Sequence, residues 1–332
     1  MTILVTGAAG FVGYHASIAL LRRGERVVGV DNLDPYYDLG LKRARLAELA
    51  AEPGFLFLEH DIADRTTTPA LAEAFPDISG IIHLAARAGV RYSLEDPFSY
   101  VQVNVVGQVA MLELARRLPV LKHFVYASSS SVYGNSERIP SAVEDPADRP
   151  ASPYAATKRS AELMAGTYAD IYRLPATGLR LFTVYGPSGR PDMAVYSFAR
   201  AIFDGTPVRL FNGGEMWRDF TYVDDIVAGI LAALDRPPPP EAPHRIFNLG
   251  SGRSEKVTHL LESLERLVGR PADVRIEPGQ SADPIRTCAD IGTSRRDLGY
   301  EPATTLDAGL PRFVDWYRAY HRVPAPSLRR SG

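Results

Sequence analysis

Residues 2–13 read TILVTGAAGFVG, and this stretch decides the fold. TILVT is a short β-branched and aliphatic run, the pattern of a strand buried on both faces. Directly after it, Gly7, Gly10 and Gly13 fall at a strand-to-helix turn, with Phe11 and Val12 opening the helix. Missing side chains at such a turn let backbone N–H groups and the helix dipole approach a pyrophosphate. The spacing is GxxGxxG, not GxGxxG, and glycines serving only tight packing would give the same letters. The context favours a ligand. A second strand, RVVGV at 26–30, follows and leads into Asp31 and Asn32, Asp31 lying 24 residues after Gly7. A carboxylate there takes a ribose diol and repels a 2′-phosphate, so the expected cofactor is NAD and not NADP.

Working outward, short apolar runs alternate with helical patterns: a helix over 11–23, another over 39–51, then FLFLE, GIIHLAA, a helix over 98–118, HFVYASS, a helix over 154–173, and ATGLRLF ending at Phe182. That βαβ rhythm predicts an α/β fold built on a doubly wound parallel sheet of the Rossmann type across residues 1–182. From Thr183 the pattern loosens into Gly- and Pro-rich stretches such as YGPSGRP and FNGGEM. Residues 183–322 are expected to form a smaller α/β C-terminal domain that contacts substrate, a division that leaves room for segments shared by the two. PPPP at 237–240 reads as a surface loop and 323–332 as a frayed tail.

Composition bounds the function. Among 332 residues, Lys and Arg number 37 against 39 Asp and Glu, a formal charge of −2, so no global basic surface exists to hold nucleic acid or an anionic membrane. Any anion site must be local. No apolar run reaches the roughly 18–20 residues of a membrane span, and the start lacks the basic flank of a signal peptide. The single cysteine, Cys288, excludes an internal disulfide framework. A soluble, cytoplasmic protein is expected. Cys288 has no CxxC partner and His83 no neighbours at ligand spacing, so no metal is expected and His83 reads as structural.

Further residues face the same end of the predicted sheet. Asp61 and Ile62, after the third strand, either face the adenine or form a turn. Leu84, Ala85 and Ala86 end the fourth strand with side chains small enough for backbone to lie against the cofactor. The fifth strand runs into Ser128–Ser131, and Tyr154 and Lys158 follow at a helix start. Positions i and i+4 share a helix face, so the lysine charge can lower the phenol pKa from about 10 and ready Tyr154 as a proton acceptor. Ser129 could share that proton.

TGAAGFVG, HLAA, the serine run ending in VYG, YAATK and WRDFTYVDD together resemble the extended short-chain dehydrogenase/reductase family over essentially the whole chain. Within it, DNLDPYYDLGLKRARL, HLAARAGVRYSLEDP, RLFTVYGPSGRPDMA and WRDFTYVDDIV are most similar to UDP-glucuronate 4-epimerases. The resemblance implies a catalytic triad of Ser129, Tyr154 and Lys158, with Asn104 supporting the site and Ser130 and Ser131 extending the substrate contacts. It implies a UDP-sugar substrate, with Arg218 clamping its pyrophosphate and Arg286 adding UDP contacts. An ion pair between Arg218 and Asp219 is the alternative. Arg91, Tyr92 and Ser93 either border the sugar or form a solvated loop. Arg87 stands where the family usually has Gln; it reaches the pyrophosphate, the substrate or solvent.

Relatives diverge after a common 4-keto intermediate. Dehydratases carry an Asp-Glu pair after the catalytic hydroxyl, where this chain has Ser130 and Ser131, and decarboxylases carry a Glu in place of Ser131. Hydroxyls suffice if the ketone only turns over and takes the hydride back, which is epimerisation. A 4-ketouronate is a β-keto acid that loses carbon dioxide when its carboxylate bond aligns with the carbonyl π system. Thr183 and Arg190 are expected to hold the carboxylate near the ring plane. UDP-glucose/galactose 4-epimerase, UDP-glucuronate decarboxylase and a non-catalytic NAD-sensing module remain as alternatives. By resemblance the helices over 98–118 and 154–173 pair two subunits as a homodimer.

Overall fold

The computed structural model describes residues 1–279 and 283–324; the tail expected at 323–332 lies outside them from position 325 onward. The first half runs β1 (Thr2–Thr6), α1 (Phe11–Arg22), β2 (Arg26–Asp31), α2 (Leu39–Ala50), β3 (Phe55–Glu59), α3 (Thr67–Ala74), β4 (Ile78–His83), α4 (Tyr92–Glu95), α5 (Pro97–Tyr100), a π-helical stretch Val101–Val106, α6 (Gly107–Ala115), β5 (His123–Ser129), α7 (Pro153–Tyr172) and β6 (Ala176–Leu181). The second half adds β7 (Thr183–Tyr185), α8 (Ala194–Asp204), β8 (Val208–Phe211), β9 (Trp217–Arg218), β10 (Phe220–Tyr222), α9 (Val223–Leu234), β11 (His244–Leu249), β12 (Glu255–Lys256), α10 (Val257–Val268), β13 (Val274–Glu277), α11 (Gly292–Leu298) and α12 (Leu306–His321).

Seven strands form one sheet in the order β11-β6-β5-β4-β1-β2-β3, with every neighbouring pair parallel. The uninterrupted apolar runs follow from burial on both faces. Val5, Ile82, Val125, Leu179 and Phe247 pack with Leu20 of α1 and Ile230 of α9. Leu4, Val28, Ile81 and Phe124 pack with Met111 and Leu112 of α6 and Ala165 of α7. Strand order reverses beside β1: the chain winds outward through β2 and β3, then returns to β4 on the other side. A crevice opens at the carboxyl edge of such a switch point.

The doubly wound parallel sheet expected from the sequence is present. Two features of it differ from expectation in detail. The seventh strand comes from residues 244–249, well past position 182, and α9 packs beneath the same sheet. The helix expected over 98–118 spans Pro97–Ala115 and widens into π-helical turns at Val101–Val106, which seat Asn104 in the interior. The remaining strands make three small ladders, β7–β10, β8–β13 and β9–β12, around a second core with Tyr196, Leu260, Phe313 and Tyr317. Leu41 of α2 joins that second core, and the fully buried Arg45 laces the halves together. Its guanidinium donates to Ala9 O at 2.8 Å and to Ser188 O at 2.6 Å. No helix among the described residues is long and apolar enough to cross a membrane.

Candidate active site

A crevice of about 960 Å³ runs along the carboxyl edge of the sheet and into the second half. At one end the glycine turn is as tight as its sequence implies. Gly7 has φ +73°, and a Cβ there would lie 2.8 Å from Ala85 N; a Cβ on Gly13 would run into the Gly7 carbonyl. The N-terminus of α1 has no side-chain cap, so its N–H groups face the crevice free to bind an anion. Phe11, Val12, Asn32, Asp61, Ile62, Leu84, Ala85 and Ala86 also line this end.

Asp31 is held at the tip of β2 by Ala9 N (3.2 Å), Leu33 N (2.9 Å) and Lys42 Nζ (3.2 Å). Lys42 was not foreseen. The signal for it was the helical spacing of Leu41, Lys42, Arg45 and Leu49, which all turn inward on α2. Asp61 combines its two readings: it lines the crevice, accepts from Asn32 Nδ2 at 3.2 Å and caps its own turn through Ala63 N at 2.8 Å. Asn104 stands behind the wall. Its amide clasps the backbone of Arg87, accepting from N at 2.8 Å and donating to O at 2.9 Å, and donates to Thr157 Oγ1 at 3.0 Å, so it shapes the cofactor wall instead of lining it. His83 is structural: it pairs with Thr6 Oγ1 at 2.6 Å, and burial, with Lys158 nearby, pushes its pKa down to about 3.

At the middle of the crevice, Ser129 ends β5 and Tyr154 occupies the first turn of α7. That helix starts here because Ser152 accepts from Ala155 N at 3.1 Å and Pro153 takes the first helical position. Tyr154 and Ser129 line the crevice together, and the Ser129 hydroxyl acts to lower the phenol pKa. Ser129 Oγ also donates to Ser131 Oγ at 3.1 Å, making a short hydroxyl row with Ser130 beside it. Lys158, one turn on, is buried and donates to Ala127 O at 2.8 Å. Burial lowers its pKa to about 8, with Glu162 opposing. Burial raises the Tyr154 pKa, and the groups that lower it are Ser129 and Arg190. The lowering of the phenol pKa by Lys158 expected from the helical spacing is not seen: the pKa is raised, and Lys158 is not among the groups acting on it.

Toward the second half, Thr183 and Arg190 face the same space. Arg190 is held by Asp192, with Nε–Oδ1 3.1 Å and Nη2–Oδ2 2.5 Å, and donates to Ala88 O at 3.3 Å. Arg218 does not pair with Asp219. That carboxylate is buried among Ser251 N, Thr221 Oγ1 and Ala289 N, whereas Arg218 donates to Trp217 O at 2.9 Å and Ile285 O at 3.4 Å. Its guanidinium is held by carbonyls, leaving its charge available to an anion. Arg286 stacks over Trp217 and reaches Ser254 Oγ at 3.3 Å. Arg91 lies 3.7 Å above the Phe211 ring and pairs with Asp283 at 2.7 Å, which places it at the mouth of the crevice. Ser93 is fully buried and donates to Val90 O; it does not line the crevice as expected, because it closes its own turn. Arg87 is neither solvated nor free: it pairs with Asp34 at 2.6 Å.

Residues 3–250 match the NAD dependent epimerase/dehydratase family, whose members this strand order and crevice fit. The chain belongs to that family. Among epimerase/dehydratase relatives, it is 44% identical to a probable UDP-glucuronate 4-epimerase of Rhizobium meliloti over 97% of this chain and 98% of the relative. It is 46% identical to UDP-glucuronate 4-epimerase 3 of Arabidopsis thaliana over 96% of this chain and 77% of that one. In three dimensions it matches the crystal structure of UDP-glucuronic acid 4-epimerase from Bacillus cereus in complex with UDP-glucuronic acid and NAD, with TM-score 0.89, 34% identity, and 96% and 100% of the two chains covered. The uncapped glycine turn, with no room for side chains, and Asp31 beyond it fit the NAD of the family. Among the described residues no group of His, Cys, Asp and Glu could hold a metal.

Proposed function

We propose that the protein interconverts UDP-glucuronate and UDP-galacturonate by epimerising the sugar at carbon 4. The observation that carries this reading is the hydroxyl row of Ser129, Ser130 and Ser131, which lines one crevice with Tyr154 and Thr183 and holds no carboxylate within the row. Such a wall can pass a proton but has no acid and base pair to eliminate water. Bound at the glycine turn, NAD supplies a reversible hydride acceptor. Once ionised, with the charges of Lys158 and of bound NAD opposing the burial that raises its pKa, Tyr154 takes the proton of the carbon-4 hydroxyl as that carbon is oxidised, Ser129 relays it, and the same pair returns it after the keto sugar has turned over. Lys158 supplies positive charge beneath the phenol. Thr183 and Arg190 hold the uronate carboxylate, and Arg218 and Arg286 take the diphosphate.

Asp192 on Arg190 bears on specificity. An arginine already paired to an acid is an oriented donor whose positive field is partly cancelled, suited to placing a carboxylate without gripping it through turnover. The protein is further read as cytoplasmic and as a homodimer. Phe98, Val101, Leu163, Met164, Ile171 and Tyr172 leave large apolar side chains exposed on the helices of 97–115 and 153–172, Phe98 at 85% and Ile171 at 65%.

The test is to incubate purified protein with UDP-glucuronate without added reductant and to separate the products with mass detection. A new peak of unchanged mass that co-elutes with UDP-galacturonate is the expected result. A product lighter by carbon dioxide would make the protein a decarboxylase. Turnover only of UDP-glucose would make it a neutral-sugar epimerase, and no turnover of either with NAD present would leave the NAD-sensing module.

A further inference from the structure

Asp34 and Arg87 meet across the carboxyl end of β1. Asp34 follows β2 and Arg87 follows β4, the two strands that flank β1 on either side, so their ion pair bridges the switch point where the glycine turn begins. Both residues line the crevice together with Gly7, Gly10 and Asp31. We propose that this pair is a latch that closes over the cofactor cleft and keeps NAD bound from one turnover to the next. The inference rests on the NAD site of the family and is independent of which sugar is turned over.

Each half of the latch is braced from behind. Asp34 Oδ1 accepts from Tyr36 N at 2.9 Å as well as from Arg87 Nη1 at 2.6 Å, and Asp34 N donates to Asn32 Oδ1 at 3.1 Å. On the other side, the Arg87 backbone is clasped at both N and O by the buried Asn104. The guanidinium lies over the rings of Tyr36 (5.3 Å) and Tyr92 (5.8 Å), and Nε reaches Ser99 Oγ at 3.4 Å. With 17% and 34% of their side chains exposed, the two charges are partly withdrawn from water, and the pair is screened less than a fully exposed one. The same two loops also meet through the Tyr36 and Tyr92 rings at 5.3 Å, and Arg190 reaches both, over the Tyr36 ring at 5.9 Å and to Ala88 O at 3.3 Å; the Arg87–Asp34 pair adds a direct charged bridge, which opposes the separation that a dinucleotide leaving sideways requires. The chemistry gives the latch a use: an enzyme that returns a hydride to the sugar it came from loses its intermediate if the reduced cofactor escapes.

Arg87 and Asp34 are thus positioning residues, and cofactor release is their readout. Protein stripped and reloaded with radiolabelled NAD is chased with excess unlabelled NAD, and retained label is followed by rapid gel filtration. Arg87→Gln and Asp34→Asn are each expected to speed release about tenfold, with the double variant no faster than either single, as partners in one interaction require. The exchanged pair, Arg87→Asp with Asp34→Arg, is expected to slow release again, and the NAD-free forms to melt with the parent. Release within twofold of the parent in both single variants, or additive acceleration in the double variant, would overturn the latch. A parent that takes up no label would overturn the NAD site itself. A parent that holds label yet converts no UDP-glucuronate would overturn only the proposed substrate.

Discussion

Arg180 grips the Glu162 carboxylate in a fork, Nε–Oε1 2.8 Å and Nη2–Oε2 3.0 Å, and both side chains are sealed behind the reacting face of α7. Ser128 Oγ at 2.6 Å and Arg159 Nη1 at 2.8 Å complete the ring around the carboxylate. Burial pushes the Glu162 pKa up, but the bonds and charge of Arg180 prevail and hold it below the usual carboxylate range. Glu162 lies one turn past Lys158, and Ser128 lies one residue before Ser129, so this cluster is the floor of the proposed catalytic site.

Removing one partner leaves a buried charge uncompensated. Glu162→Gln is expected to destabilise the fold by about 3 kcal/mol, read as a fall in the denaturant midpoint at constant slope. An unchanged midpoint would show that the ring is dispensable.

The Lys158 pKa, lowered by burial to about 8 from 10.5, gives activity and stability opposite pH trends. Above pH 8 the folded protein releases a proton that the unfolded chain keeps until about 10.5, so this residue's contribution to stability rises between those values. The groups acting on it are Glu162 on its own helix, whose charge holds its proton on, and His83 on β4, which burial keeps neutral. Charged Lys158 is the form proposed to work. The pH profile of kcat/KM for UDP-glucuronate is therefore expected to fall as pH rises through about 8, while the Lys158 contribution to thermal stability of the NAD-free protein grows between about pH 8 and 10.5.

Tyr154→Phe removes the proton acceptor and keeps the ring. Turnover is expected to drop about 10³-fold and Ser129→Ala to cost less, with NAD content by acid release unchanged in both. A Tyr154→Phe variant of normal activity would return the protein to the NAD-sensing reading.

Thr183→Val preserves the shape of the strand end and deletes one hydroxyl. Product analysis is expected to show slower epimerisation and a new fraction lighter by carbon dioxide, because the carboxylate is freed to align with the ketone. Equal rate and a single product would remove Thr183 from that role.

Ile171→Glu places a charge on the exposed apolar face of α7. Light scattering is expected to give the mass of a dimer for the parent and of a monomer for the variant. A parent monomer at working concentration would rule out the homodimer.

Much of this protein was legible as local pattern. Gly7, Gly10 and Gly13 stand within one turn of chain, and Tyr154 and Lys158 within one turn of helix, so neighbouring letters determine their geometry. The apolar strands identified a sheet buried on both faces, and the strand-to-helix turn identified which edge carries the crevice. HRIFNL at 244–249 did not declare itself, because its polar positions look like a loop until β6 supplies its partner. Asn104 is expected by resemblance to support the site, and the π-helical turns aim it at the Arg87 backbone; Ser93, in the loop after the fourth strand that could border the sugar, instead closes its own turn.

The sequence by itself determined the sheet, the cofactor turn and the order of the reacting groups, since each depends on contacts within a few residues or on one repeating period. Only the tertiary structure decided the partners of the charges. Arg87 finds Asp34 across 53 residues, Arg91 finds Asp283 across 192, and Arg218 passes over the adjacent Asp219, which is taken by backbone from residues 251 and 289. A charge pairs with whatever the fold brings within a few ångströms, and that distance is set by how the layers close, not by separation along the chain.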